Sequence, residues 1–288
     1  MPHLPVHTLP SMQGRSRGGL YGDVIETIDW SVGEIRAALA AAGMADNTLI
    51  IFSSDNGPWN NAPPRMLQEG IERWHTGSSG PLRGSKATTW EGGQRVPGIF
   101  CWPGQIAAGR VSPDLTTMPD VYPTLAAAAG AAVPDDIDGQ NLLPFLKGEA
   151  AASPVQTFCY LMWETPEALR RGPWKLRLPV QSDASGAAPQ PELYHLELDP
   201  SERYDRAAEL PDTVARLMDE LLHLRATLSG RRIAPATKPR RPQGCMTSTT
   251  RPSLLPLARP QAAIASSTGS RLSPAGVMAY STRGGTSA

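Results

Sequence analysis

The sequence predicts an α/β unit followed by a smaller α+β unit with a short antiparallel sheet and a closing helix. Three observations carry this. A long helical stripe runs directly into a short, wholly apolar segment, the helix–strand alternation of layered α/β proteins. From about residue 150 the segments instead alternate apolar with polar residues, the pattern of a sheet covered on one face. After about residue 230 periodicity disappears.

Ile25, Ile28, Val32, Ile35 and Leu39 recur at spacings of three and four, which predicts a helix over 22–43 ending at Gly43. "NTLIIFSSD" (47–55) then reads as a strand buried on both faces, of the parallel type. Residues 56–95 are rich in Gly, Pro, Asn and Ser. A loop of that length within a compact domain is either functional or disordered. "VPGIFCWPG" (96–104) predicts a second strand, and "MPDVYPTLAAAAG" (118–130) a helix with Pro in its first turn and Gly at its end. "TFCYLMW" (157–163), "PWKLRLP" (173–179) and "ELYHLELDP" (192–200) predict antiparallel strands, the last two separated by a Ser/Ala/Pro loop (180–191). Val214, Leu217, Met218, Leu221 and Leu224 mark an amphipathic helix over 211–228. The chain therefore divides into a first domain at 1–149, a small α+β subdomain at 150–229 and a low-complexity tail at 230–288, expected to be disordered.

Of the 288 residues 40% are hydrophobic and 19% charged, enough apolar content for a packed core. The 27 Lys and Arg balance 27 Asp and Glu, but nine of the cations lie beyond Gly230 and no acid follows Glu220. A mildly acidic body thus carries a basic tail. That tail has no aromatic interleaving, and no nucleic-acid partner is expected. Cys101, Cys159 and Cys245 are far apart and give neither a zinc spacing nor a disulfide framework. No apolar run is long enough for a membrane span, so no membrane partner is expected, and "MPHLPVHTLP" lacks the features of a signal peptide.

The chemistry concentrates in two places. Asp55-Asn56-Gly57 ends the first strand. These are turn residues, which is one explanation; a carboxylate beside a carboxamide oxygen is also a pair of hard ligands for Ca2+ or Mg2+. "GSSGPLRGSKATTWEGGQRVPGIF" (77–100) sets Arg83, Lys86, Glu91 and Arg95 among glycines. Two guanidiniums and an ammonium can hold a tetrahedral oxyanion, while loop charges more commonly face water.

Together the segments "PHLPV", "RGGLYGDVIETIDWSVGEI", "TLIIFSSDNGP", "GPLRGSKATTWEGGQRVPGIFCWPGQI", "MPDVYPTLAAAAG", "DIDGQNLLPFLKG" and "LYHLELDPSERYDRAAE" resemble the sulfatase family of the alkaline phosphatase-like superfamily. They stand in the family's order over about residues 1–210, with the likeness strongest to its arylsulfatase A and N-acetylgalactosamine-6-sulfatase members. The resemblance implies part of an alkaline phosphatase-like sandwich and a metal-dependent sulfuric ester hydrolase acting on a small-molecule or carbohydrate sulfate ester. It implies that Asp55 and Asn56 ligate the cation, Ca2+ with Mg2+ as the alternative. It gives Lys86 and His3 the catalytic and sulfate-binding positions, His3 lying twenty residues before Asp23 of "YGD". His75, in the same loop region, is a further substrate contact, whereas His7 matches no family position. The family's nucleophile is a formylglycine made from a Cys or Ser in a "C/S-x-P-S/A-R" motif. That motif does not occur here, and none of the three cysteines has Pro at +2 and Arg at +4. The expectation is therefore the C-terminal part of such an enzyme, inactive as written. Two alternatives remain, a phosphoesterase or phosphonate hydrolase of the same superfamily and a non-catalytic remnant. The sequence carries no indication of oligomeric state.

Overall fold

In the computed structural model the described residues are 2–179, 188–230 and 278–279. The predicted first helix is α1 (Gly19–Ala41). Its apolar stripe does not enter a core: Ile25 is 43% and Ile35 57% exposed, and Asp23 is the helix's one buried residue. The Asp23 carboxylate folds back over the preceding loop, accepting the Ser16 N–H at 2.7 Å and the Gly14 N–H at 2.8 Å.

Strand β1 (Ile50–Ser53) pairs with β2 (Gly98–Cys101), Ile50 opposite Cys101 and Ser53 opposite Gly98. The pairing is antiparallel, and β1 is only half-buried, which corrects the reading of a parallel strand covered on both faces. A four-residue apolar run fits either direction, and burial on both faces needs neighbours that the run does not specify. α2 (Glu91–Gln94), a single turn inside the loop expected to be irregular, precedes β2. The predicted helix over 118–130 is a 3-10 turn, Met118–Asp120, continued by α3 (Val121–Ala128). α4 (Leu143–Lys147) was not predicted. Phe145 and Leu146 of α4 join Phe100, Ile106, Leu142 and Val155 in the first core cluster.

The second unit is a four-stranded antiparallel sheet in sequence order: β3 (Thr157–Met162), β4 (Thr165–Arg171), β5 (Trp174–Arg177) and β6 (Glu192–His195). Register places Leu169 opposite Leu176 and Leu176 opposite Leu193, one cross-strand row of leucines. α5 (Pro211–Gly230) covers that row with Leu217 and Leu221, and all five leucines are fully buried. β4 was not predicted. Between Tyr160 and Leu161 the β3–β4 register shifts, so Glu167 is an extra residue on β4 without a partner opposite. Such a bulge redirects a side chain. The opposite sheet face, carrying Lys175, Arg177 and Tyr194, meets the loop between β1 and β2.

Most of the tail read as disordered lies outside the described residues. Met278–Ala279, however, form β7, antiparallel to β2 at Phe100 and Ile99. An edge strand's unpaired N–H and C=O groups offer a template for pairing.

Candidate active site

Gly57 follows the Asp55-Asn56 pair, and its N–H donates to the Gly93 carbonyl at 3.0 Å. A Cβ at Gly57 would stand 1.9 Å from the Gly92 carbonyl oxygen, and one at Gly93 would stand 2.4 Å from that of Ser85. The loop after β1 and the turn at α2 are therefore in backbone-to-backbone contact, which only glycine permits. One residue on, the Pro58 carbonyl accepts the Lys86 N–H at 2.9 Å. The Asp-Asn-Gly turn and the Lys86 loop are one packed unit.

Trp59 organises what lies beyond. The Lys86 ammonium is 5.4 Å from the centroid of its ring, within cation–π range. The His3 ring lies 6.1 Å away at a 41° tilt. Two predicted residues, remote from each other in sequence, thus meet at one indole that periodicity did not single out. Nδ1 of His3 is 2.7 Å from the Leu4 carbonyl oxygen. A carbonyl only accepts, so Nδ1 carries a proton, and Nε2 is the nitrogen able to exchange one with a bound group.

His75 stands in a 3-10 turn, Arg73–Thr76. Its Nδ1 accepts the Glu72 N–H at 3.1 Å as half of a capping box, so in the neutral ring the proton sits on Nε2. Thr76 Oγ1 ties the same turn to the Trp59 carbonyl at 3.2 Å.

Asp55 and Asn56 border two different grooves. Asp55, exposed, lines one of about 220 Å3 with Arg95, Thr117 and Tyr160. Asn56 lines one of about 670 Å3 between α1 and the β1–β2 sheet. The Asn56 Oδ1 is buried with no hydrogen-bond partner, an acceptor a cation would satisfy. The pair offers two hard oxygens where Ca2+ takes six to eight. Among the described residues no cluster of three or more His, Cys, Asp or Glu is placed to hold a metal. Of the pair, Asn56 Oδ1 is the orphaned acceptor that suits a cation, while Asp55 opens onto the other groove.

The proposed oxyanion cluster needs correction. Arg83 is not directed at a shared anion: Nη1 donates to the Glu202 carbonyl at 2.9 Å and to Tyr194 Oη at 3.3 Å, and the guanidinium lies 3.7 Å from the centroid of Trp90. Glu91 is buried in an ion pair with Lys175 at 3.0 Å. Both charges attach the loop to the second unit, whose partners lie more than 80 residues away. Arg95 lines both grooves, whereas Lys86 lines neither and stands over Trp59.

Residues 11–131 match the sulfatase family model, and residues 85–178 match that of the C-terminal region of N-sulphoglucosamine sulphohydrolase. Steryl-sulfatase of Rattus norvegicus is 46% identical over 154 residues, 51% of this chain and 26% of that protein. N-acetylgalactosamine-6-sulfatase of Mus musculus is 40% identical over 179 residues, 61% of this chain and 32% of that protein. The crystal structure of a Pseudoalteromonas sulfatase superposes with a TM-score of 0.66 at 28% identity, covering 79% of this chain and 46% of that one. The chain thus spans between a quarter and a half of the length of these relatives. Over residues 11–131 the sequence is that of the sulfatase family, and the fold is the alkaline phosphatase-like fold of the sulfatases on which it superposes.

Proposed function

We propose that this chain forms one wall of a metal-dependent, arylsulfatase-like site for hydrolysing sulfate monoesters. The observation that carries the reading is the meeting of His3 and Lys86 at Trp59, on a loop whose backbone is bonded to the Asp55-Asn56-Gly57-Pro58 turn. A sulfate monoester presents a compact anion, and a fixed ammonium compensates charge on its oxygens. Lys86 supplies that charge, and Trp59 limits where it can go. As an imidazolium, with Nδ1–H held by the Leu4 carbonyl, His3 gives its Nε2 proton to the departing oxygen as general acid and is left neutral. Asp55 and Asn56 would hold Ca2+, with Mg2+ as the alternative. The cation, when bound, supplies charge that polarises the sulfuryl oxygens. His75 contacts the substrate through Nε2. The named relatives act on a steryl and a carbohydrate sulfate, so both a small-molecule and a carbohydrate ester suit this reading.

Titration calorimetry of the purified chain with sodium sulfate and with CaCl2 tests it. Sulfate binding lost in Lys86→Ala and Ca2+ binding lost in Asn56→Ala are expected. Unchanged binding in those variants would remove the assignments. No Cys or Ser of the 288 residues stands in the full formylglycine motif, since Ser79-Gly80-Pro81-Leu82-Arg83 has Leu where the motif has Ser or Ala, so we expect no turnover of 4-methylumbelliferyl sulfate by this chain alone. Turnover abolished by Lys86→Ala would reveal a different nucleophile.

A further inference from the structure

The most enclosed charge in the described structure lies outside the residues assigned above. Lys175 on β5 is fully buried. Its ammonium is 2.7 Å from the Thr89 carbonyl oxygen, 3.0 Å from Glu91 Oε1 and 2.7 Å from Glu202 Oε1. The contacts to Thr89 and Glu91 are hydrogen bonds, whereas Glu202 Oε1 is held by charge alone and has no hydrogen-bond partner. Glu91 Oε1 also accepts the Tyr160 hydroxyl at 2.8 Å, and Glu202 Oε2 accepts the Glu91 N–H at 2.8 Å. Glu202 holds this position at φ +51°, in the left-handed region, which strains a residue with a Cβ. Burial pushes the Glu202 carboxyl up against the opposing pull of Lys175. Burial is also the largest influence on Glu91, but Lys175, Tyr160 and Arg170 together outweigh it and hold that carboxyl below its ordinary value.

A buried ion cluster contributes little net stability over an apolar replacement, so its charges call for another role. Its attachments indicate one. Thr89 and Glu91 belong to the loop that carries Lys86. Redirected by the bulge in β4, Glu167 adds a second tie, accepting Thr89 Oγ1–H at 2.8 Å while paired to Arg177 at 2.8 Å. On its other side the same loop bonds to the Asp-Asn-Gly turn through Lys86 N–H and Gly93 O. The loop is held between the two units.

We infer that Lys175 is a positioning residue for the sulfate site: from the second unit it fixes Thr89 and Glu91, and through them the loop that presents Lys86 to the anion. This rests on the reading of Lys86 as the sulfate-binding residue. Lys175 touches no substrate.

The test is calorimetric titration of the full chain with inorganic sulfate, beside thermal unfolding by circular dichroism. Lys175→Met alone strands two buried carboxylates and can fail to fold. The triple variant Lys175→Met/Glu91→Gln/Glu202→Gln removes all three charges together and keeps side-chain size. The expected result is a folded triple variant whose sulfate affinity falls about tenfold, the scale of one displaced hydrogen bond to a charged group, while Lys86→Ala abolishes binding. A residue that only joined the units would change the unfolding temperature and leave affinity at lower temperature intact. Sulfate affinity equal to that of the unaltered chain in the folded triple variant, with Lys86→Ala still without binding, overturns the role of Lys175 alone. No sulfate binding by the unaltered chain overturns the reading of Lys86 and this inference with it.

Discussion

Gly57 and Gly92 pack so closely that a methyl on the first would stand 1.9 Å from the carbonyl oxygen of the second. The contact is backbone on backbone, so no flexible side chain can yield. Gly57→Ala is expected to cost about 3 kcal/mol, the scale of an overpacked core, and to separate the Asp55-Asn56 turn from the Lys86 loop. Denaturant unfolding measures the loss. Gly33, within exposed α1, has nothing within 4 Å of its would-be Cβ. There Gly33→Ala should raise stability by about 0.5–1 kcal/mol through helix propensity. Equal effects of the two substitutions would contradict the packing described.

Asp23 couples stability to pH. The Ser16 N–H, and after it the Gly14 N–H, holds this carboxyl below its ordinary value of 3.8. A carboxyl depressed in the folded state contributes stability that is present above its unfolded value and lost as pH falls through the folded one. Asp23→Asn should therefore lower the unfolding temperature at neutral pH, and the gap to the unaltered chain should narrow below about pH 4. A gap that widens with acid would have the wrong sign.

Trp59 gives Lys86 its one aromatic contact among the described residues. A cation–π contact at a partly exposed site contributes about 0.5–1 kcal/mol. Trp59→Leu should weaken sulfate binding by roughly two- to fivefold on that scale, whereas Trp59→Phe, which keeps a π face, should recover part of the loss. Equal affinity in Trp59→Leu and the unaltered chain would show that the ring does not orient Lys86.

Some of this architecture was legible in the residues, and the limits have physical causes. Spacing gave α1 and α5 within a few residues, alternation gave β5 and β6, and the apolar, aromatic-rich run "TFCYLMW" gave β3. β4 escaped because "TPEALRR" opens on proline-containing polar sequence, and its charges are satisfied by partners on other elements. Strand direction escaped because an apolar run carries no arrow. Alternation in "WKLR" separates two faces but does not tell what covers the one that carries Lys175. The loop covering that face, and the carboxylates at Glu91 and Glu202, come from distant sequence. For the candidate site, family motifs supplied Asp55, Asn56, Lys86 and His3. Neither motif nor periodicity marked Trp59, whose significance lies in what two remote segments bring to it.

The apolar stripe of α1 yields the last prediction. Ile25, Ile28 and Val32 border the groove of about 670 Å3, facing Ile50, Phe52 and Ile99 of the sheet. An apolar face left open in this way binds amphiphilic dyes, so native chain should enhance 1-anilinonaphthalene-8-sulfonate fluorescence. Ile25→Ser with Ile28→Ser should reduce that signal. Elsewhere on the helix, Ile35 is 57% exposed, and Ile35→Ser should change stability by no more than about 0.5 kcal/mol, as for other surface positions. Leu221 is the contrasting case. It is fully buried against Leu169, Leu176 and Leu193, so Leu221→Ala should cost about 2–5 kcal/mol. Comparable losses at Ile35 and Leu221, with no dye bound by native chain, would mean that the α1 face is covered in solution.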